Sequence, residues 1–187
     1  KSAVSIYEKS YGKGHVYYAS AVNNLALLYQ KMGNLEASKP LFEQAMVIYE
    51  KQIGQMSPDY ATALENLATL YQLEGDLVKA KSLLEEALLI DEQILGVDHP
   101  LYSKTLHNLA AIYEENGEYE KARELYGKAL GIEQRVYGEN HPAYASTLYN
   151  LAVLEQEQEN YDKAKEYYQK VVDIRKATLG VNHPDFA

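Results

Sequence analysis

Apolar residues recur along the chain at the spacing of one face of an α-helix. In one stretch the first apolar stripe comprises Leu64, Leu67, Ala68 and Tyr71. A second stripe follows it and comprises Ala80, Leu83, Leu84, Ala87 and Ile90. Such stripes are what an amphipathic helix buries. The pattern therefore predicts a pair of helices, each of about four to five turns, whose small residues, such as Ala68 and Ala80, allow close approach.

A glycine separates the two stripes and marks a turn. It stands in Glu74-Gly75-Asp76, and Gly33 and Gly117 occupy the same place in two other parts of the chain. Glycine readily adopts the left-handed backbone conformation that ends a helix, so each pair of helices is predicted to be a hairpin. In a fourth part Glu159-Asn160 stands there instead. We expect Asn160 to suit this conformation, because Asn tolerates it best after Gly.

The helix pair repeats every 42 residues. A bulky apolar residue precedes a glycine at Tyr11-Gly12, Ile53-Gly54, Leu95-Gly96, Tyr137-Gly138 and Leu179-Gly180. A proline follows at Pro58, Pro100, Pro142 and Pro184. The sequence Asn-Leu-Ala begins at Asn24, Asn66, Asn108 and Asn150. One hairpin cannot bury its apolar stripe alone, so a period of this kind indicates hairpins stacked into an array.

The segment between repeats predicts how one helix ends and the next begins. Gly96 ends a second helix, His99 lies at the cap of the following helix, and Pro100 lies in its first turn. A proline costs little there, because the missing N–H has no partner within the helix.

The period divides residues 1–187 into a single repeat array. The predicted parts are the second half of a truncated repeat at 1–15, four repeats at 16–57, 58–99, 100–141 and 142–183, and the start of a further repeat at 184–187. Neither end carries the polar capping repeat that such arrays need. We therefore expect the chain to be an excerpt of a longer protein.

The third repeat resembles the tetratricopeptide consensus. The matching residues are Tyr102, Thr105, Leu106, Asn108-Leu109-Ala110, Ile112-Tyr113, Gly117, Tyr119, Ala122, Leu125-Tyr126 and Ala129-Leu130. The usual unit has about 34 residues, and the longer period of 42 is similar to that of kinesin light chain repeats. The resemblance implies an all-α fold, a right-handed α-solenoid of stacked antiparallel helix hairpins. The fourth repeat departs most, since Glu155 replaces the tyrosine of Tyr29, Tyr71 and Tyr113.

The resemblance also implies that the first helices line a concave groove that binds an extended peptide or partner segment. The ladder Asn24, Asn66, Asn108 and Asn150 recurs on these helices, and an Asn side chain offers a peptide backbone both a donor and an acceptor. The alternative, which the ladder leaves open, is that these residues tie neighbouring helices together through buried hydrogen bonds. Both roles are compatible.

Residues beside the ladder are expected to tune specificity. The candidates are Asn23, Glu65, His107 and Tyr149, which precede the ladder residues, together with Lys104, Gln72 and Glu114. Only one of them is a cation, so a carboxylate clamp built from several Lys or Arg is not present. We expect a ligand with mixed polar and apolar contacts, and a basic residue near Glu65 or Glu114.

Composition narrows the partners. With 18 Lys plus Arg against 27 Asp plus Glu, the chain has a net charge of −9, which disfavours a nucleic acid partner. Apolar runs are too short for membrane insertion. There is no Cys, which fits a cytoplasmic location. Most of the 18 Tyr recur at repeat-core positions, which favours packing over a ligand cage.

Neither a cofactor nor a metal site is predicted. His15, His99, His141 and His183 are one repeat position seen four times. Stacked helices lie about 8–10 Å apart, whereas zinc ligands lie within about 2 Å of the ion, so these histidines cannot share one metal. We expect them to fix helix starts instead.

The sequence favours a protein-binding scaffold over an enzyme. It contains no nucleophile elbow, P-loop or zinc-protease motif. The expected function is cargo- or adaptor-like binding of a protein or peptide ligand in the concave groove. The alternatives are a structural spacer or self-association segment that uses the uncapped array ends, and a regulatory array attached to an effector domain outside residues 1–187.

Overall fold

The computed structural model describes residues 3–179, and the side chains of 3–178. Those residues form α-helices and no strand, so the predicted all-α repeat fold is confirmed. The helices are α1 (Ala3–Tyr11), α2 (Val16–Lys31), α3 (Leu35–Ile53), α4 (Pro58–Leu73), α5 (Leu77–Leu95), α6 (Pro100–Glu115), α7 (Tyr119–Tyr137), α8 (Pro142–Glu157) and α9 (Tyr161–Leu179). None of these helices is long and apolar enough to cross a bilayer.

The helices alternate between two lengths. The first helix of each pair, namely α2, α4, α6 and α8, has 16 residues, and the second helix, namely α3, α5, α7 and α9, has 19. The chain forms two compact units, of which the first extends to Ile94 and the second begins at Leu95.

Histidine side chains cap three of the four first helices. Nδ1 of His15, His99 and His141 accepts a hydrogen bond of 3.2 Å from the backbone N–H two residues later. Ser57 takes this role in α4, where its Oγ accepts from Tyr60 N–H at 3.4 Å. These bonds satisfy an N–H that the helix leaves unpaired. The structure thus gives these histidines the helix-start role expected of them, while His183 lies outside the described residues.

The turn within each hairpin requires a left-handed backbone. Gly33, Gly75 and Gly117 adopt φ values of 75°, 79° and 78°. In the fourth repeat Glu159 adopts this conformation, with φ of 62°. The expectation that Asn160 would suit it was wrong. Asn160 N–H donates to the Glu155 carbonyl at 2.8 Å, just as Glu118 N–H donates to the Tyr113 carbonyl in the third repeat. The turn therefore has the same register in both repeats, and the residue before Asn160, which is Glu159, adopts the left-handed conformation.

The core of the first unit joins α2, α3, α4 and α5. Its buried cluster includes Tyr18, Val22, Tyr49, Leu64 and Ile90. Ala26 and Ala68 are fully buried, and such small side chains allow helices to approach closely. Tyr18 and Tyr60 are each 5% exposed, so these two repeated tyrosines are core residues, as predicted, whereas Tyr29 and Tyr71 are half-buried.

Two buried clusters contribute to the core in the described part of the second unit. Ala110, Tyr126 and Leu154 belong to a cluster that joins α6, α7 and α8. Tyr144 and Ile174 belong to a cluster between α8 and α9. Both clusters bury the apolar stripes that the helical periodicity predicts.

A carboxylate takes the place of an aromatic ring in the fourth repeat. In the first unit the ring of Tyr71 lies between Lys39 and Lys79, whose Nζ atoms are 4.4 and 5.1 Å from its centroid. The residues 84 positions later are Glu155, Arg123 and Lys163. Glu155 Oε1 accepts from Arg123 Nε at 2.9 Å and from Lys163 Nζ at 2.7 Å. The same pair of cationic positions therefore holds a π face in one unit and a carboxylate in the other.

The ion pairs of Glu155 outweigh the cost of burying it. Its side chain is 1% exposed, and burial alone raises the pKa of a carboxyl group. Hydrogen bonds from Lys163, Arg123 and Asn160 act in the opposite direction and bring the pKa of Glu155 down to about 2. Glu155 is therefore ionised and fully paired at neutral pH.

Candidate functional site

In the first unit, one ladder residue is hydrogen-bonded to the preceding repeat. Asn66 on α4 donates from Nδ2 to Oδ1 of Asn23 on α2 at 3.2 Å. Asn23 is 8% exposed, whereas Asn66 is half-buried. Because Asn23 is buried, its side-chain oxygen needs a hydrogen-bond donor from within the protein, and Asn66 supplies it. The bond ties two first helices together and leaves part of Asn66 open.

The second unit repeats this arrangement with a histidine. Asn150 on α8 lies with Nδ2 2.8 Å from Nε2 of His107 on α6. The amide also donates to the hydroxyl of Tyr126 at 3.5 Å. Since the amide donates, Nε2 of His107 accepts, and the ring proton lies on Nδ1, 3.2 Å from Thr147 Oγ1. Burial lowers the pKa of His107, which favours this neutral form.

The hydrogen bonds continue from Asn150 to a carboxylate. Tyr126, which is 1% exposed, donates from its hydroxyl to Glu114 Oε2 at 2.9 Å. Its ring meets that of His107 edge to face, with centroids 5.3 Å apart. Burial raises the pKa of Glu114, the hydrogen bond from Tyr126 lowers it, and nearby Glu157 raises it further. Tyr126 thus links the ladder residue Asn150 to the predicted site residue Glu114.

From His107 the hydrogen bonds continue in the opposite direction, through Thr147 to the buried carboxylate of Glu133. Ser103 donates to Oε1 of Glu133 at 3.0 Å, and Glu133 is 6% exposed. Burial raises the pKa of Glu133, while hydrogen bonds from Thr147 and Ser103 lower it. Among the described residues, no partner is within hydrogen-bond distance of its buried Oε2.

A cleft of about 470 Å³ opens beside Asn150 in the second unit. We call it the acidic cleft. Its lining residues are Ala111, Glu114, Glu115, Tyr119, Tyr126, Asn150, Val153 and Glu157. They belong to the C-terminal half of α6, the first half of α7 and the C-terminal half of α8. The cleft therefore lies on the first helices and extends down to the second helix between them.

The remaining predicted residues occupy different environments. Asn24 and Lys104 are exposed, Asn108 and Gln72 are half-buried, and Glu65 is 3% exposed. Tyr149 is 42% exposed, and its ring lies 5.7 Å from that of Tyr168 and 5.6 Å from the Arg175 guanidinium. Within the two units, the structure brings together Asn23 with Asn66, and His107 with Asn150 and Glu114. The helix-tying role is thus present at Asn66 and Asn150, and a ligand-binding role for the ladder stays a prediction.

Sequence reasoning missed the residues that support these pairs. Tyr126, Thr147, Ser103 and Glu133 were not among the candidates. A signal was available in the repeat alignment: Phe42 and Leu84 stand where Tyr126 does, and Ala21 and Ala63 stand where Thr147 does. A polar group at a position that is apolar in other repeats needs a partner once it is buried.

No group of three His, Cys, Asp or Glu residues within the described part of the chain is placed to hold a metal ion. The histidine caps lie at the starts of different helices, and His107 is engaged on both ring nitrogens.

Comparison with known proteins defines the family. The model described as tetratricopeptide repeat matches residues 1–51, 59–132 and 103–177. The chain therefore belongs to the tetratricopeptide repeat family, whose repeats are generally protein-interaction scaffolds. No curated protein matches the chain significantly in sequence.

Solved structures share the fold. The chain is similar to BtubC (BKLC) from P. vanneervenii, with 26% identity and a TM-score of 0.81 over 99% of this chain and 72% of that one. It is also similar to a kinesin light chain from Podosopora anserina with nearly identical TPR-like repeats, with 27% identity and a TM-score of 0.74 over 94% of this chain and 83% of that one. MamA, at 16% identity and a TM-score of 0.65, covers 95% of this chain and 87% of its own, and shows the fold alone. The kinesin light chain-like type of repeat is thereby confirmed.

Proposed function

We propose that this chain is a scaffold that binds an extended segment of a partner protein along its first helices. The observation that carries the proposal is that each unit contains a half-buried ladder residue whose amide is hydrogen-bonded to the preceding repeat. Asn66 and Asn150 are each fixed by a hydrogen bond to the preceding repeat, yet neither is fully covered. A pre-oriented amide binds a peptide backbone at lower entropic cost than a mobile one does.

The hydrogen bonds leave one part of each amide for a ligand. In both pairs the donor Nδ2 is directed to the neighbouring repeat. The carbonyl oxygen Oδ1 of Asn66 and Asn150 is then the group that a ligand can use, and it accepts the backbone N–H of an extended peptide. Every peptide unit except one preceding proline offers such an N–H, so this contact gives affinity without regard to the sequence of the ligand.

Side chains near Asn66 and Asn150 differ between the units and supply selectivity. In the second unit Ala111 and Val153 line the cleft beside Asn150, and Leu27 and Thr69 occupy the corresponding positions of the first unit. The two units therefore present apolar side chains of different size beside equivalent ladder amides. The scaffold fold supports this interpretation over catalysis, because tetratricopeptide repeats generally hold partners rather than transform substrates.

Selection from a random peptide library displayed on phage tests the proposal. Peptides selected on the wild-type chain are synthesised and their affinity is measured by isothermal titration calorimetry. Thr69→Arg with Val153→Arg places a bulky side chain beside each ladder residue without removing the side-chain hydrogen bonds of Asn66 and Asn150. Gln52→Arg with Gln93→Arg, both exposed positions on second helices, changes the net charge equally and serves as the matched control.

We expect the first double variant to lose binding by at least about tenfold, equivalent to about 1.4 kcal/mol, with unchanged helix content by circular dichroism. The control variant should bind as the wild type does. Equal affinity of the two double variants for every selected peptide would contradict the proposal, because the partner would then contact a different surface.

A further inference from the structure

The acidic cleft presents hydrogen-bond acceptors to a ligand. The two donors with fixed positions in its wall are used within the protein, since Asn150 Nδ2 faces His107 and Tyr126, and the Tyr126 hydroxyl donates to Glu114. The other polar groups of the lining residues are Oδ1 of Asn150, the hydroxyl of Tyr119 and carboxylate oxygens. None of the lining residues is Lys, Arg or His. The polarity of the cleft therefore suits a ligand that carries donors and positive charge.

The first unit shows that the fold does not require these carboxylates. The residues 84 positions before Glu114, Glu115 and Glu157 are Gln30, Lys31 and Leu73. They occupy the same places on α2 and α4, two helices with the same lengths as α6 and α8. Phe42 stands where Tyr126 does, and Nε2 of Gln30 is buried with no partner among the described residues. The same hairpin therefore forms with neutral and basic residues at these positions.

Glu114 and Glu157, two carboxylates that line the acidic cleft, repel each other. Burial and the charge of Glu157 both raise the pKa of Glu114, which shows that a negative charge at Glu114 is disfavoured in the unliganded chain. A cation in the cleft would reverse this effect by pairing with both carboxylates. The contrast with Glu155 is direct, because two cationic side chains of the chain itself already pair with Glu155.

Size and lining add a further constraint on the ligand. A cleft of about 470 Å³ lies within the range of about 300–1,000 Å³ that is usual for ligand sites. Ala111 and Val153 provide apolar contact for an alkyl stem, and Tyr119 also lines the cleft. A long side chain with an apolar stem and a charged tip matches this arrangement.

We propose that the acidic cleft binds a lysine or arginine side chain of the partner segment, with the charged tip at Glu114 and Glu157 and the adjoining peptide N–H at Asn150 Oδ1. This inference rests on the function proposed above. It makes the second unit selective for a basic residue, whereas the first unit, with Gln30, Lys31 and Leu73, is not.

The experiment compares library selections on two variants. Glu114→Gln with Glu157→Leu replaces the carboxylates by the residues of the first unit, and Gln at 114 can still accept from Tyr126. The matched control is Glu43→Gln with Glu92→Gln, which removes two exposed carboxylates from second helices. Peptides selected on the wild type should be enriched in Lys or Arg at one fixed position. Enrichment should persist on the control and disappear on Glu114→Gln with Glu157→Leu.

Calorimetry then measures one selected peptide and a version in which norleucine or citrulline replaces the basic residue. We expect a loss of roughly tenfold or more on the wild type, as for a charge-assisted hydrogen bond, and no further loss on Glu114→Gln with Glu157→Leu. Equal binding of both peptides to the wild type, or the absence of basic enrichment, would overturn the inference.

The outcomes separate this inference from the proposed function. If the selected peptides lose affinity on Thr69→Arg with Val153→Arg but carry no basic residue, the groove function stands and the acidic cleft is not selective. If basic peptides are selected but bind the Thr69→Arg and Val153→Arg variant as well as its control, both proposals fail, because the basic residue is then read by another acidic surface.

Discussion

The ladder residue Asn66 donates its side-chain amide to Oδ1 of Asn23, at 3.2 Å, in the repeat before its own. The residues are 43 positions apart, one more than the repeat length. Asn150 and His107 have the same separation and meet at 2.8 Å. In both pairs, the residue that precedes one ladder position is hydrogen-bonded to the ladder residue of the next repeat. The two roles considered for the ladder are compatible, because Nδ2 of each amide ties helices and Oδ1 takes part in neither of these hydrogen bonds.

A double-mutant cycle measures how strongly the tie stabilises the first unit. Asn23→Ala, Asn66→Ala and the double variant are compared with the wild type by urea unfolding. We expect a coupling free energy of about 1 kcal/mol, and we expect Asn66→Ala to destabilise because it leaves the buried Asn23 unpaired. Additive effects of the two substitutions would show that the hydrogen bond contributes nothing to stability.

The protonation state of His107 is a second prediction. Because Nε2 accepts from Asn150 and burial lowers the pKa of His107, the neutral ring should carry its proton on Nδ1. Long-range ¹H–¹⁵N correlation spectra of the imidazole distinguish the two tautomers directly. A ring protonated on Nε2 at pH 7 would contradict the hydrogen bonds described for this unit.

The same residue makes stability depend on pH. The folded pKa of His107 is below its unfolded value of about 6.5, so the unfolded chain takes up this proton first. Its contribution to stability is therefore present above about pH 6.5 and is lost as the pH falls through that value toward the folded pKa. His107→Asn, which copies Asn23 of the first unit, should remove this dependence near pH 6.5. An unchanged pH profile would contradict the assignment.

Glu155 should contribute to stability in a lower pH range. Its folded pKa of about 2 is below the usual value of about 4.3. The stabilisation, on the order of 3 kcal/mol, is thus present above about pH 4.5 and lost as the pH falls toward 2. Thermal unfolding of the wild type and of Glu155→Tyr between pH 7 and pH 3 measures it, because the tyrosine hydroxyl does not titrate in this pH range.

Glu155→Tyr also restores the residue found at Tyr71, between two cationic positions. We expect it to be tolerated far better than Glu155→Leu, which leaves Arg123 and Lys163 without a partner of either kind. If Glu155→Leu is as stable as Glu155→Tyr at neutral pH, the cationic side chains do not stabilise whatever lies between them.

Glu159 offers a substitution that should stabilise the chain. Its φ of 62° is strained for a residue with a side chain, whereas Gly33, Gly75 and Gly117 occupy this place in the other hairpins. Glu159→Gly should raise the free energy of unfolding by roughly 0.5–1 kcal/mol. Gly117→Ala, with φ of 78° in the wild type, is the converse variant and should destabilise. A lower free energy of unfolding for Glu159→Gly, or a higher one for Gly117→Ala, would show that these residues do not have a left-handed backbone conformation.

Local patterns in the sequence account for most of the fold. The recurring glycines and prolines predict where helices end and begin, and three helices do begin at Pro58, Pro100 and Pro142. This works because capping and turn chemistry act over a few residues. The turn at Glu159 was misjudged, since the register of the whole hairpin, rather than the preference of Asn160, decides which residue adopts the left-handed conformation.

The polar contacts between repeats could not be predicted in the same way. Asn23 and His107 were placed beside the ligand groove, but their partners lie 43 residues away. Which side chain of one repeat meets which of the next depends on how the helices pack, and no periodic pattern encodes that offset. Glu114 was predicted as a contact for a basic residue, whereas its bond to Tyr126 became visible only in the structure.

A chemical shift map with a library-selected peptide tests the central claim most directly. Two-dimensional ¹H–¹⁵N spectra of the labelled chain are recorded as the peptide is added, including the side-chain amide signals of Asn66 and Asn150. The account predicts that the largest changes fall on the first helices, at the ladder asparagines and at neighbours such as Thr69 and Val153. Changes confined to the outward residues of the second helices, with the Asn66 and Asn150 amide signals unmoved, would contradict it.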